Sequence, residues 1–204
     1  MTHGTDHNLA RKRRLNLDYR DNTVENLIQR AKTHPEDFAR LFRMNYDTVF
    51  RYCVRRLFDR HSAEDVTSTI FMKVMHNLSS FHGGEANFRN WLYRIATNAV
   101  NDHLRTAKRR AEAVLNAAEE IRTESALVIT NDPELQEKKA LLKQAVLSLK
   151  PNYQTVIALR FFENMKLTEI AACLDKKPAT IRSWLSRALV KLRKNLGAAI
   201  NNKR

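Results

Sequence analysis

The chain has little glycine, proline or cysteine. Its 204 residues include four glycines, four prolines and two cysteines. Turn formers are rare, and no segment alternates apolar and polar residues over the length of a strand, so the sequence favours helices throughout. Cys53 and Cys173 lie far apart, each within an apolar helical pattern. This pattern argues against a disulfide framework and predicts two buried, reduced thiols.

Other features are also missing. No apolar run approaches the roughly 20 residues that a membrane-spanning helix needs, and the N-terminus lacks the apolar segment of a signal peptide. The seven histidines show no metal-ligand spacing, and no nucleophile, acid–base pair or phosphate-binding loop is recognisable. We therefore expect a soluble cytoplasmic protein that is not an enzyme, with no metal, no cofactor and no membrane partner.

Charge indicates the kind of partner. The chain carries 36 basic and 22 acidic residues, for a formal net charge of +14. A field of this sign attracts polyanions and accelerates their encounter with the protein. Nucleic acid is the favoured polyanion, and an anionic membrane surface is the rival.

The segment from Phe81 to Arg110 predicts a single-stranded DNA surface. It begins with a glycine loop and continues as an amphipathic helix over about residues 89–108, one face of which is apolar. The opposite face carries amide and guanidinium groups suited to phosphates and base edges: Arg94, Asn98, Asn101 and Arg105. Phe88, Trp91 and Tyr93 are close enough in sequence for unpaired bases to stack on them. An ordinary solvated helix face is the alternative.

A second DNA-binding pattern lies near the C-terminus. Two short amphipathic helices are separated by Asp175, Lys176 and Lys177, as in a helix-turn-helix. From Lys176 to Arg204 there are nine basic residues and no acidic one. The outward positions of the second helix offer groups that can read base edges or bind phosphates: Thr180, Arg182, Ser183, Ser186 and Arg187. A basic hairpin that merely packs is the alternative.

Composition divides the chain into an all-α, two-domain protein. We predict a basic extension over 1–22, a helical bundle over 23–110, an acidic linker over 111–133, the helix-turn-helix domain over 134–197 and a basic tail over 198–204. The linker prediction depends on seven acidic residues against one basic residue between Ala111 and Glu137. Asp132–Pro133 marks its end, because a residue before proline disfavours helix.

Three segments, in order, resemble regions 2 and 4 of the sigma-70 family: SAEDVTSTIFMKVMHNLSSF, HGGEANFRNWLYRIATN and LTEIAACLDKKPATIRSWLSRALVKLR. The absence of other sigma regions between them is similar to the extracytoplasmic-function group. The resemblance implies a subunit that joins core RNA polymerase, directs it to promoters and helps to open DNA. It matches Arg94 and Asn98 to contacts with the minus-ten element, and the Phe81–Phe88 loop, which includes His82, Gly84 and Phe88, to the segment that holds a flipped base. The expected minus-ten site also includes Asn101, Arg105 and Trp91 from the helix pattern. Arg182, Ser186 and Arg187 match positions that read the minus-thirty-five element, partly through DNA shape, and Thr180 and Ser183 join them from the outward face of the same helix.

The resemblance also implies polymerase contacts. The helix after Ser62, which we expect to begin there with a capping-box-like Ser62 and Asp65, matches the surface that binds the clamp helices of the largest subunit. Glu64, Asp65 and Phe71 are the implied contact residues. Ser68, Thr69 and Ile70 depart from the Gln-Glu-Thr of many relatives, so a usual acidic contact is missing. Further partners implied are the flap of the second subunit, promoter DNA and a candidate anti-sigma factor.

Two other functions remain open from the residues alone. The chain could be a free-standing helix-turn-helix regulator that binds duplex DNA without joining the polymerase. It could also be an interaction protein whose basic helices bind acidic proteins or membranes. A sigma factor should copurify with core polymerase, a regulator should bind duplex sites by itself, and an interaction protein should show no promoter preference.

Overall fold

A computed structural model of the protein describes residues 23–115 and 133–201. The predicted basic extension, most of the predicted acidic linker and the last three residues of the tail lie outside the described residues. Within the described ranges the secondary structure is helical and contains no β-strand. No helix in these ranges combines the length and apolar character that crossing a membrane requires.

The N-terminal lobe comprises the helices within residues 23–115. These are α1 (Val24–Arg30), α2 (Pro35–Leu57), α3 (Arg60–Asn77), the 3₁₀ turn Leu78–Ser80, and α4 (Glu85–Leu115). Pro35 opens α2, where its missing N–H leaves no bond unmade. The α2 helix ends at Phe58, whose left-handed backbone (φ 54°) turns the chain into α3. The α2, α3 and α4 helices then enclose one apolar core.

The start of α3 differs from the sequence prediction. Its N-cap is Asp59, whose carboxylate accepts the backbone N–H of Ser62 at 2.7 Å. Ser62 therefore lies inside the first turn, and the prediction that it begins the helix was wrong. The side-chain and backbone hydrogen bonds from Ser62 lower the pKa of Asp59, because they stabilise the ionised carboxylate.

The α4 helix is longer than its apolar pattern predicted. It begins at Glu85 rather than near residue 89 and continues to Leu115, past the predicted end at about 108. Gly83 makes the tight entry possible: its φ of 140° is a conformation that side-chain-bearing residues rarely adopt. A Cβ on Gly83 would also lie 2.8 Å from the Cβ of Asn87. Glycine is therefore required here by both conformation and space.

The C-terminal lobe contains the predicted helix-turn-helix. Its elements are α5 (Pro133–Leu147), α6 (Pro151–Ile157), a π turn (Ala158–Phe162), α7 (Leu167–Leu174) and α8 (Pro178–Asn201). Three residues join α7 to α8, and Asp175 ends α7 with a left-handed backbone (φ 53°). Three apolar side chains of this lobe are exposed: Leu142, Phe161 and Leu189. Each lies at the margin of an apolar stripe, where periodicity does not distinguish the core from its edge.

The two lobes pack against each other. Buried side chains of both lobes, including Tyr52 and Tyr93 on one side and Leu159, Met165 and Ile170 on the other, form one continuous apolar cluster. The α4 helix lies against α7, and α2 lies against the π turn. This docking was not predicted from the sequence, which indicated two domains held only by a connecting segment.

Candidate nucleic-acid interface and polymerase-binding face

The polar face of α4 carries the four residues predicted from its spacing. Arg94, Asn98 and Arg105 are exposed, and Asn101 is half-buried. Arg94 forms an ion pair with Asp175 of the C-terminal lobe at 3.5 Å, and Arg105 pairs with Asp102 on its own helix at 2.8 Å. The stripe is thus arranged along one face, but its first residue already contacts the other lobe.

The loop before α4 borders a cavity of about 460 Å³. Its wall includes His82, Trp91 and Arg94 from the N-terminal lobe and Ala172 from α7. The volume is within the range of small-ligand pockets, so an extruded base could fit beside Trp91. His82 is exposed, Trp91 is half-buried and Gly84 is half-buried, with its Cα facing the Glu25 carboxylate.

Two aromatic side chains do not have the predicted exposure. Phe88 is 4% exposed and Tyr93 is 2% exposed. Phe88 packs against Phe81 and Trp91, with ring centroids 5.7 and 5.8 Å away. The expectation that bases stack on Phe88 and Tyr93 was therefore wrong, since both rings belong to the core. Trp91 is the ring of the three that reaches the cavity.

The outward face of α8 presents the residues predicted for duplex DNA. Arg182, Ser186 and Arg187 are exposed, while Thr180 and Ser183 are half-buried. Ile181 and Ala188 lie on the opposite face and are fully buried. Trp184 is partly buried and packs on the core. The burial pattern therefore leaves hydroxyl and guanidinium groups on the free face of the recognition helix.

The α3 helix separates into a buried and an exposed face. Glu64 and Asp65 are exposed, and Glu64 pairs with Arg60 at 3.1 Å. Phe71 is 6% exposed and packs edge-on against Phe42 at 4.6 Å, so the expectation that it meets a partner surface directly was wrong. The Phe71 ring instead belongs to the apolar core of the lobe.

Ser68 and Thr69, which depart from the family pattern, lie on the exposed face of α3. The hydroxyls of Ser68 and Thr69 donate to the backbone carbonyl oxygens of Glu64 and Asp65 at 3.0 Å. Both hydroxyls therefore have their hydrogen-bond acceptors within the helix. Further along the same face, Met72 and Met75 are more than half exposed. These methionines were not among the residues predicted from the sequence, although exposed methionine is a known signal of adaptable binding surfaces.

Glu163 is the residue that sequence reasoning missed most clearly. It follows the π turn, yet it is 5% exposed, because it inserts between α2 and α4 of the N-terminal lobe. Its carboxylate accepts hydrogen bonds from the Tyr93 hydroxyl and from Arg55 (3.3 Å), and Arg89 donates to its backbone oxygen. Burial and then the hydrogen bond to Glu163 raise the pKa of Tyr93, which stays protonated.

Two further features of the lobe interface follow the same charge arrangement. Arg56 donates to the Gln154 side chain at 2.7 Å, and the Arg55 guanidinium lies 4.8 Å from the Phe162 ring. In these two contacts the N-terminal lobe supplies the cations, and the C-terminal lobe supplies an acceptor and a ring. Such complementarity specifies how two surfaces dock.

The two free cysteines are buried, as predicted. Burial raises the pKa of Cys53 to about 11 and that of Cys173 to about 12. Both thiols are therefore protonated at neutral pH and poor nucleophiles. Cys173 lies near Arg94 and Tyr52 of the N-terminal lobe, since it interacts electrostatically with both.

Comparison with known proteins identifies both lobes. The sigma-70 region 2 model matches residues 41–110, and the sigma-70 region 4 model matches residues 139–192. The ECF RNA polymerase sigma factor SigW of Bacillus subtilis is 30% identical, over 85% of this chain and 96% of SigW. BldN of Streptomyces coelicolor, another ECF sigma factor, is 31% identical over 80% of this chain but only 62% of its own length.

Solved structures agree on the fold. CnrH, in complex with the cytosolic domain of CnrY, has a TM-score of 0.62 at 20% identity and covers 84% of this chain and 96% of that one. RpoE of Bartonella quintana, in complex with the anti-sigma factor NepR, has a TM-score of 0.63 at 21% identity, with coverage of 79% and 98%. At these identities the likeness extends to the fold alone.

The two family models and the similarity to SigW define the class of protein, a transcription initiation factor. The chain belongs to the sigma-70 family, in its extracytoplasmic-function group of RNA polymerase sigma factors. It directs RNA polymerase to promoters for the initiation of transcription.

Proposed function

We propose that the exposed face of α4 and the cavity before it bind the non-template strand of the minus-ten element. Asn98, Arg94 and Arg105 would contact bases and phosphates, and an extruded base would enter beside Trp91 and His82. The supporting observation is the combination on one helix of an exposed amide and guanidinium stripe with a cavity at its start. Extrusion costs a few kcal/mol, which ring stacking and edge hydrogen bonds can offset.

The exposed face of α8 would read the minus-thirty-five element in the major groove. Arg182 and Arg187 can pair bidentately with guanine, and the Ser183 and Ser186 hydroxyls can reach bases or phosphates. Support comes from their exposure opposite the buried Ile181 and Ala188. The first turns of α8 would then lie in the groove while α7 crosses the backbone.

The exposed face of α3 would bind the clamp helices of the largest polymerase subunit. Glu64 and Asp65 offer carboxylates to basic partners, and Met72 and Met75 extend the same face with apolar surface. Phe71 would support this face from beneath rather than contact the partner. The methionines would supply apolar contact where Ser68 and Thr69 supply no charge.

Three further partners belong to the proposal. The C-terminal lobe would contact the flap of the second polymerase subunit, and promoter DNA would bridge both lobes. An anti-sigma factor would control the protein, which is supported by the anti-sigma complex of its structural neighbour from Bartonella quintana. As a polymerase partner, the protein would act in the cytoplasm.

The minus-ten assignment is tested with Asn98→Ala. Loss of a base contact should weaken minus-ten selection by about 1–3 kcal/mol, which is roughly 5-fold to 150-fold. The assay is permanganate reactivity of unpaired thymines in complexes of core polymerase, the full chain and a promoter recovered from its own transcripts. Asn77→Ala is the matched control, because Asn77 is also exposed but donates within α3. Equal opening by both variants would contradict the assignment.

A further inference from the structure

Arg56 is a buried arginine without a carboxylate. It is 2% exposed at the end of α2, where the two lobes meet. Its Nη1 donates to the Gln154 oxygen of the C-terminal lobe at 2.7 Å, and its Nη2 donates to the Asn101 oxygen of α4 at 3.0 Å. In the ranges that the structure describes, no acidic side chain pairs with it, and its Nε–H has no acceptor.

This environment is a costly one for a permanent cation. Removing a guanidinium from water costs several kcal/mol even after relaxation, and neutral amides compensate less than a carboxylate does. An arginine needed only for packing is replaceable by an apolar side chain of similar volume at little cost. The position of Arg56 therefore points to a need for the charge in some other arrangement of the lobes.

The proposed function supplies that arrangement. Elements centred at minus ten and minus thirty-five are about 25 base pairs apart, or roughly 85 Å at 3.4 Å per base pair. In the structure, however, α7 lies against α4, Asp175 pairs with Arg94, and Ala172 forms part of the cavity wall. Both elements cannot be bound at once in this state, so the lobes must separate for α4 and α8 to reach them together.

Separation would change the surroundings of Arg56. It would lose Gln154, its acceptor from the C-terminal lobe, and keep Asn101 on α4. Asn101 belongs to the stripe proposed to bind single-stranded DNA, so the uncovered guanidinium would lie directly beside that stripe. A planar guanidinium with free N–H donors is well suited to a phosphate.

We propose that Arg56 is a concealed phosphate-binding residue, which separation of the lobes uncovers beside Asn101 for the backbone of the single-stranded minus-ten DNA. The inference depends on the proposed function, because that function requires the lobes to separate. It adds to the α4 stripe a cation that no pattern of exposed residues could indicate. Packing of the two lobes thus buries a positive charge that would bind DNA once the lobes separate.

The test measures the salt dependence of single-strand binding. A fluorescent 20-nucleotide DNA of mixed sequence is titrated with the full chain carrying Glu163→Ala, which removes a buried lobe contact, at several salt concentrations. Adding Arg56→Gln should reduce the slope of log K against log salt by about 0.7, the value for one phosphate on a single strand. The loss of affinity caused by Arg56→Gln should therefore be about fivefold greater at 0.1 M salt than at 1 M salt.

Arg43→Gln in the same background is the matched control. Arg43 is an exposed arginine on the same helix, so its variant loses equal net charge. We expect its slope to remain within experimental error of the parent. If Arg56→Gln and Arg43→Gln give the same slope, the inference is overturned. Arg56→Lys covers the case in which the glutamine variant does not fold: it should keep the slope, and a slope that falls by 0.7 would also overturn the inference.

A parallel pull-down with core polymerase separates the two claims. If the salt-dependence slope depends on Arg56 but the chain does not bind core polymerase, the phosphate contact stands and the proposed function is refuted. If the chain binds core polymerase but Arg56→Gln leaves the slope unchanged, only the phosphate contact is refuted.

Discussion

Replacing Glu163 with alanine should loosen the docking of the two lobes. The change removes a buried carboxylate that accepts hydrogen bonds from Tyr93 and Arg55. The Tyr93 hydroxyl would be left buried without its acceptor, and the Arg55 guanidinium would lose an ion pair across the lobe interface. The backbone contact from Arg89 does not depend on the side chain and would remain possible.

The magnitude follows from the burial of the two partners of Glu163. An unsatisfied buried hydroxyl costs about 1–3 kcal/mol. The Arg55 side chain is 37% exposed, so its ion pair is screened and adds only about 0–1 kcal/mol. A total near 2 kcal/mol corresponds to a roughly thirtyfold increase in the population of separated lobes. Glu163→Gln keeps an acceptor for Tyr93 and should have a much smaller effect.

Labelling of Cys173 by a thiol reagent reports that population. Cys173 is 1% exposed and lies near Tyr52 and Arg94, so separation of the lobes should expose it. Its pKa of about 12 should then return towards about 8.5, the value of a free thiol, and the thiolate should react near pH 8. Peptide mass spectrometry distinguishes Cys173 from Cys53, which is fully buried in the core of the N-terminal lobe and should stay protected.

We expect Glu163→Ala to label Cys173 about thirty times faster than the parent chain. Glu112→Ala is the control, because Glu112 is exposed at the end of α4 and pairs only with Lys108 at 3.5 Å in the described structure. Equal labelling rates in Glu163→Ala and Glu112→Ala would refute the docking role of Glu163. Faster labelling of both cysteines would instead indicate general unfolding and would also contradict the reasoning.

Three further changes test other parts of the account. Arg187→Ala should relax upstream-element preference by about 1–3 kcal/mol if Arg187 reads a base, as measured by binding to a panel of duplex sites; a uniform loss across the panel would indicate a phosphate contact instead. Asp65→Arg should weaken binding to core polymerase in a pull-down, and unaltered retention would refute the α3 assignment. Asp59→Ala should lower the free energy of unfolding by about 1 kcal/mol through loss of the α3 N-cap. Because the folded-state pKa of Asp59 is lowered, this difference should be present above about pH 4 and disappear as the pH falls through the folded pKa, and a pH-independent difference in chemical denaturation would contradict it.

Periodicity predicted the helices because their apolar faces are strongly patterned. The prediction was confirmed for the helical fold of the described residues and for the three-residue turn before α8. It was wrong where a side chain lies near the boundary of a face. Phe71 and Phe88 illustrate this, because spacing places a ring on a helix but does not say what packs over it.

The lobe interface could not be predicted in the same way. Glu163 and Arg55 are 108 positions apart, and their contact exists only because two separately patterned lobes meet. An acidic residue after Phe161 and Phe162 suggests an exposed turn, yet it is the C-terminal lobe's most deeply inserted charge among those described. The burial of Arg56 could not be predicted from the sequence either, because the other arginines of α2 are exposed or half-buried.

Transcript sequencing shows whether the protein selects promoters through its two DNA-binding faces. Core bacterial RNA polymerase would transcribe genomic DNA with and without the full chain, and the start sites would be compared. We expect the full chain to produce a new set of start sites that share minus-ten and minus-thirty-five sequences. Asn98→Ala should reduce this set, and Asn77→Ala should retain it. An unchanged set of start sites in the presence of a chain that binds the polymerase would contradict this expectation.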